Sequence, residues 1–484
     1  MKLDSRQIQK LAQEYPRIPL CKEIYGDLLT PIGVLKKLET FNQNFYLLES
    51  MEGQEKWGRY SFLGYDPVMR VRCKDQRLTV EEDGGIKEVQ TADPMEYLRK
   101  ILTDFRSPKL SGLPPFTGGF VGYFGYSMIG YAEPVLHLKK GEFPDLDLML
   151  FDKVIAFDHL RQKILLVVNM KTEDVLENYG EAQAELEKMA AMLHTPLTQK
   201  DRERSKASNF TCNMSQEEYS RLVEKTKEYI REGDIFQAVI SRQFSCIFAG
   251  DLMDAYRVLR TTNPSPYMVY LHMDDMELMS TSPETLVRLE NGRLTTFPVA
   301  GSRPRGRDEA EDAALEVELL KDDKELAEHN MLVDLGRNDL GRISRFGSVE
   351  VTKYQMVHKY SKVMHICSQV EGEIRPDKDA LDAIASVLPA GTLSGAPKIR
   401  ACEIIEELEP LPRNIYGGAL GYVDFTGNMD TCIAIRMAVK KDGRVYVQAG
   451  GGIVADSVPQ KEYEESANKA MAVMQAVEQA GEVE

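Results

Sequence analysis

Four glutamates stand in two pairs of equal spacing. Glu325 and Glu328 lie in KELAEHNMLVDL, and Glu462 and Glu465 lie in KEYEESANK. Three residues apart on a helix, both carboxylates of a pair share one face. A single pair of this kind reads as a solvated acidic face. Glu465 with Lys469 also reads as a surface ion pair, worth about 0.3–0.5 kcal/mol. Two pairs facing each other across a cleft would do chemistry instead. Oxygen ligands with few other donors suit Mg2+, which keeps waters and shares its shell with an anionic substrate.

Other residues carry weaker signals of the same kind. Arg436 interrupts the apolar segment IAIRMAV, and a buried arginine wants a carboxylate, its own or a ligand's. His365, between apolar neighbours in SKVMHICSQ, is by itself an ordinary core histidine. The loop PAGTLSGAPK runs into a helix but lacks the Lys-Ser/Thr of a phosphate loop. Its backbone N–H groups favour a carboxylate, or it is a plain loop. VYVQAGGGIVADS sets Gly450, Gly451 and Gly452 inside a strand pattern, where a ligand or another backbone presses close, or a bulge forms. IYGGALGYVDF has the same character. In FPVAGSRPRG, Ala300 brings no chemistry to a basic, glycine-flanked turn.

These groups need a large scaffold to hold them. The chain has 484 residues, 43% of them apolar, and a net charge of −16. That balance argues against a nucleic-acid-binding surface. Seven scattered cysteines without a CxxC spacing read as a reduced, cytoplasmic protein. The polar start MKLDSRQIQK reads as no signal peptide, and no uncharged apolar run reaches the length of a membrane span. The glycine-broken run Phe116–Leu136 reads as buried strand with close backbone contacts. Short β-rich segments dominate up to about residue 170, and 172–192 has a helical period. The polar stretch 194–209 is the linker candidate. Ser215 and Glu218 form a capping box for a helix that Gly233 closes. Beyond it, strands alternate with helices expected at 310–335, 378–388, 398–408 and 461–478. The mixture predicts α+β layers around a large sheet system.

Taken in order, LLESMEGQEKWGRYSFLG, PVAGSRPRG, AEHNMLVDLGRNDLGRI, PAGTLSGAPK, YGGALGY and AGGGIVADS resemble the chorismate-utilising enzymes. The likeness is strongest to the large-subunit family of anthranilate synthases and runs from about residue 15 to 475. It implies an α+β fold, a large two-layer β-sandwich with flanking helices. Residues 1–193 would be an N-terminal domain and 210–484 the chorismate-binding catalytic domain, with sheets drawn from both halves.

The resemblance also implies roles. Glu328 and Glu465 would hold Mg2+, with Glu325 and Glu462 supporting through water. Glu284, in STSPETL, matches the general acid for the departing 4-hydroxyl. Tyr416, Arg436, Gly452 and Lys469, with Gly391, Gly450 and Gly451 of the glycine runs, match positions that hold the carboxylates of chorismate. Thr392 lies against the ring, and His365 matches the histidine tied to pyruvate elimination. Sister enzymes carry a nucleophilic or water-activating lysine at one of two positions, which here are Ala300 and Gln237. Ammonia is then the nucleophile. No cysteine sits in a glutaminase elbow, so the ammonia source is expected to be a separate glutamine amidotransferase subunit. L-tryptophan is the implied inhibitor, with Glu49, Ser50, Lys56, Pro266, Tyr267 and Met268 matching its pocket. Ser302 replaces the family's more frequent threonine and keeps the hydroxyl.

Two rivals stand beside this reading. Aminodeoxychorismate synthases of the para branch include members without the nucleophilic lysine, which Ala300 does not distinguish. A non-catalytic tryptophan-binding homologue would share the fold, but would have no reason to keep the glutamates, His365 and Arg436.

Overall fold

The computed structural model describes residues 4–50, 56–82, 84–196, 204–359 and 363–483. Among the described residues, the β-rich segments pair antiparallel into two large sheets. One of thirteen strands contains, in spatial order, Arg17–Tyr25, Lys163–Lys171, Lys153–Asp158, Tyr60–Tyr65, Phe45–Glu49, Tyr267–Met273, Met276–Ser282, Met437–Lys441, Arg444–Ile453 and Gln237–Ala249. The other, of twelve, runs from Val299–Pro304 through Val363–Glu373, Arg293–Thr296, Thr285–Glu290, Met429–Ile433, Ala419–Asp424 and Gly119–Phe124 to strands within 69–90.

Alternation along the strands sets the layers. Phe45 and Leu47 pack outward beneath helices, while Tyr46 and Leu48 pack inward between the sheets, the period of two for a strand buried on both faces. The inner core joins Tyr46, Phe62 and Leu271 of the first sheet to Tyr123, Met149 and Leu420 of the second. Helices Pro31–Glu39, Val175–His194, Leu252–Thr262 and Pro459–Glu478 cover the first sheet. Helices Pro94–Asp104, Asp323–Gly341 and Ala380–Val387 cover the second. This is the α+β sandwich the resemblance implies.

Both sheets are joined from distant parts of the chain. Glu49 stands opposite Met268 in the first, and Gly122 opposite Gly421 in the second. The second joint explains the glycines of the Phe116–Leu136 run: a Cβ added at Gly119 would lie 2.0 Å from the Val423 carbonyl oxygen. The chain also crosses between sheets at two adjacent places, between Ser282 and Thr285 and between Ile433 and Met437. Glu284 and Arg436 sit in these crossings. They are stitched by Ile433 N donating to Glu284 O and Thr281 N donating to Arg436 O, both at 3.0 Å.

The capping box at Ser215 and Glu218 forms as expected, and Gly233 closes that helix at φ 86°. The single helix expected at 310–335 is two, Glu309–Leu319 and Asp323–Gly341. Asp322 breaks it by accepting hydrogen bonds from the backbone N–H groups of Lys324 and Glu325, a capping arrangement that starts a new helix. Of the linker expected at 194–209, 197–203 lie outside the described residues, and Lys206–Ala207 pairs with Phe248 and Ala249. No helix among the described residues is long and apolar enough to cross a membrane.

Candidate active site

Glu284 is held by Thr392, whose Oγ1 donates to its Oε2 at 3.1 Å. Burial pushes the Glu284 carboxyl up to about 7, against the pull of the Thr392 hydrogen bond, Arg436 and Lys469. A carboxyl poised near neutrality suits proton donation. Thr392 rides on the short turn Gly391–Leu393. Gly391 is packed so closely that an added Cβ would lie 2.6 Å from Leu335 Cδ1, on the helix that carries Glu325 and Glu328.

Arg436 adopts φ 49°, the left-handed region that non-glycine residues rarely occupy. Such strain clusters where a side chain must be aimed. Among the described residues no carboxylate pairs with its guanidinium. Burial lowers its pKa, while Tyr416, Glu284 and Glu465 oppose that shift. A recessed cation without an ion-pair partner is a natural acceptor for a ligand's carboxylate. Tyr416 is buried, and desolvation raises its phenol to about 12, keeping it a neutral donor.

His365 and Ser302 are register partners, with a bulge between Ala300 and Ser302. Gly301 is the extra residue, at φ 73°, a conformation glycine reaches without cost. The bulge brings Ser302 Oγ within 2.9 Å of His365 Nδ1 and the Gly301 carbonyl within 3.2 Å. These contacts orient the ring. Burial lowers the His365 pKa, as do Arg436 and Lys469, against the Gly301 hydrogen bond. The imidazole is therefore neutral near pH 7, the state of a base.

The glycine strands and glutamate helices meet. A Cβ at Gly301 would lie 3.2 Å from Glu325 Oε2, and one at Gly451 would lie 3.0 Å from Glu462 Oε2. Lys469 Nζ bonds Glu465 Oε1 at 2.7 Å and the Gly450 carbonyl at 3.2 Å. Burial raises the carboxyl pKa of Glu328, with further contributions from Glu325 and Glu465. Burial likewise raises Glu325 and Glu462, and each also feels Glu465. Glu465 thus adds like charge to Glu325 and Glu328 from the other helix, as neighbouring carboxylates do. Among the described residues no three His, Cys, Asp or Glu groups converge into a closed metal shell. An all-oxygen donor set that stays open fits a hard cation that brings its own waters.

Gln237 is 3% exposed, and its Oε1 has no hydrogen-bond partner among the described residues. It lies against Gly452, where an added Cβ would fall 2.5 Å from Gln237 Nε2. Ala300 is buried.

A separate cavity of about 90 Å³, partly open to solvent, is lined by Glu49, Ser50, Pro266, Tyr267 and Met268, five of the six residues matched to an inhibitor pocket. Lys56 is the sixth, and its side chain lies outside the described residues. Ser50 Oγ is buried and has no hydrogen-bond partner among the described residues. Glu49 is held by Tyr256 and by Arg260, at 2.6 Å from its Nε. Asp430, which accepts a 2.8 Å hydrogen bond from Tyr267, and Arg288 also line the cavity. Sequence reasoning missed both, because they come from the second sheet, across the core.

Residues 43–475 match the chorismate binding enzyme family. Anthranilate synthase component 1 of Acetivibrio thermocellus is 46% identical over 99% of this chain and 98% of its own. That of Pseudomonas aeruginosa is 46% identical over 96% of each. The chain belongs to the anthranilate synthase component 1 family. The crystal structure of anthranilate synthase component I from Streptococcus pneumoniae superposes with a TM-score of 0.78, at 37% identity over 93% of this chain and 98% of that one. The anthranilate synthase component 1 fold thus accounts for both sheets and their joints, and the chain is a chorismate-utilising enzyme.

Proposed function

We propose that the chain makes anthranilate from chorismate, with ammonia as nucleophile, a glutamine amidotransferase subunit as its source, and tryptophan as inhibitor. One observation carries this reading. A carboxyl poised near neutrality, Glu284, and Arg436, which has no ion-pair partner among the described residues, sit in neighbouring sheet crossings and feel one another's charge. Chorismate is a dicarboxylate whose hydroxyl must leave, so it needs both.

Arg436 and Lys469, with backbone N–H groups of the glycine runs, take the two carboxylates. Ammonia adds at C2, the ring double bonds shift, and the C4–O bond breaks. Glu284 protonates the departing oxygen, which leaves as water. The Thr392 hydrogen bond then steadies the carboxylate left behind. His365 removes the C2 proton as the C3–O bond breaks, and the ring becomes aromatic. The enolpyruvyl group takes up a proton and departs as pyruvate. The balance is chorismate and ammonia in, anthranilate, pyruvate and water out. When bound, Mg2+, with Glu328 and Glu465 as ligands and Glu325 and Glu462 as supports through water, supplies positive charge to a ring carboxylate. Neither Ala300 nor Gln237 is a nucleophile or base, which leaves the addition to ammonia.

The test mixes the purified chain with chorismate, Mg2+ and an ammonium salt, and follows anthranilate fluorescence. The expected rise vanishes with EDTA and falls with tryptophan. Glutamine replaces ammonium only when an amidotransferase subunit is added. Chorismate loss with a para-amino product would overturn the reading.

Two substitutions probe the parts separately. Arg436→Ala should raise the KM for chorismate about 10–100-fold, the worth of a hydrogen-bonded charge; an unchanged KM would remove Arg436 from substrate binding. Ser50→Phe fills the second cavity and should weaken tryptophan inhibition about tenfold or more, with kcat within about twofold of the parent. Equal inhibition of variant and parent across a tryptophan titration would refute that pocket.

A further inference from the structure

Arg413 is 4% exposed and Glu409 3% exposed, and they form an ion pair one helical turn apart in sequence, away from any solvent. Every edge of the guanidinium is used. Nε donates to Glu409 Oε2 at 2.9 Å, and Nη2 donates at 2.7 Å to both Glu409 Oε1 and the Val239 carbonyl. Nη1 donates to the Leu393 carbonyl. Glu409 Oε1 also accepts from Ser241, from N at 2.7 Å and from Oγ at 2.9 Å. The guanidinium lies 5.7 Å from the centre of the Tyr416 ring.

Each tethered group adjoins the active site. Leu393 follows Thr392, the residue that holds Glu284. Val239 stands opposite Gly452 and Ser241 opposite Gly450 in the sheet. Tyr416 is itself a candidate substrate contact. Burying an ion pair adds little net stability, since apolar packing often does as well. A planar fork with five fixed donors, however, sets geometry that a flexible ammonium does not.

We infer that Arg413 and Glu409 are positioning residues, a buried clasp that fixes the Gly391–Leu393 turn, the glycine-facing strand and Tyr416 relative to one another so that Thr392 reaches Glu284. The clasp rests on the reading of Glu284 as the acid. The Thr392 hydrogen bond holds the Glu284 carboxyl down against burial. Loosening the turn removes that bond, so Glu284 stays protonated to higher pH while its aim is lost.

The experiment measures kcat and KM against pH, with ammonia saturating at each pH, for the parent, Arg413→Lys, Glu409→Gln and Glu284→Asp. Far-UV circular dichroism and the unfolding midpoint show which variants are folded. Folded Arg413→Lys should lose about tenfold or more in kcat, and its basic limb should move up by about 0.5–1 pH unit, the worth of one hydrogen bond. Glu409→Gln, which keeps the shape and one acceptor, should fall between it and the parent. Parent-like kcat and limb in a folded Arg413→Lys would overturn the clasp. So would a lower kcat with an unmoved limb, which marks a purely structural role. Should Arg413→Lys fail to fold, Glu409→Gln decides by the same two criteria. A parent limb that Glu284→Asp leaves in place would overturn the acid assignment and the clasp with it. A limb that Glu284→Asp moves but the clasp variants do not would overturn the clasp alone.

Discussion

Glu284→Gln is expected to lower kcat by about 10²–10⁴-fold, the range for loss of a positioned general acid, with little change in the KM for chorismate. Glutamine keeps the size and can still accept from Thr392 but has no proton to give. Anthranilate fluorescence under saturating ammonium measures the effect, and a loss smaller than about tenfold would take Glu284 out of this role. The pH profile supplies an independent sign. An acid must be protonated to act, and burial places the Glu284 carboxyl at about 7. Activity limited by this group is therefore present below that pH and lost above it. Bound chorismate, a dianion, moves the limb further upward. Free ammonia increases with pH, so at fixed total ammonium the parent profile is bell-shaped. In Glu284→Gln the residual rate should lack the basic limb.

Glu328→Gln and Glu465→Gln are expected to weaken Mg2+ binding by more than about 100-fold, since partners one step removed from a metal already cost about 10–100-fold. Glu325→Gln and Glu462→Gln belong in that smaller range. Calorimetric Mg2+ titration in the presence of chorismate reads this directly, and turnover should fall in parallel. A second readout needs no metal. Burial already disfavours the Glu328 carboxylate, and Glu325 and Glu465 repel it further. Removing one charge relieves that repulsion, so the metal-free Glu328→Gln variant should melt at a higher temperature than the parent. Parent-like Mg2+ binding in Glu328→Gln or Glu465→Gln would refute the assignment.

Local signals were legible in the sequence. The Ser215 and Glu218 box and Gly233 marked both ends of their helix, and paired glutamates on helices are visible as spacing alone. The break at Asp322 was missed because the helical period continues through it. A capping aspartate is plain only once its acceptor bonds are seen. Register between distant strands was hardest. Nothing near Ser302 says that His365 lies opposite, and nothing near Glu49 points to Met268. The resemblance grouped Glu49 with Met268 in one pocket, but the pairing of Ser302 with His365 emerges only from the structure. Arg413 and Glu409 show the limit from the other side. Their i, i+4 spacing looks like a surface pair, yet both side chains are buried and all three guanidinium nitrogens are engaged.

The two joints also govern how the chain reaches this structure. Phe45–Glu49 lacks one of its neighbours until Tyr267–Met273 has been made, and Gly119–Phe124 waits for Ala419–Asp424. At about 5–20 residues per second, the nascent polypeptide carries unpaired, apolar strand edges for on the order of ten seconds or more. Such edges are templates for intermolecular pairing, and a topology dominated by long-range contacts closes slowly. The acid and the arginine, each lodged where the backbone passes from one sheet to the other, can be aligned only once both joints have closed. Emergence of a working cleft is therefore a late event in biosynthesis, and the early chain depends on protection from its neighbours on the polysome.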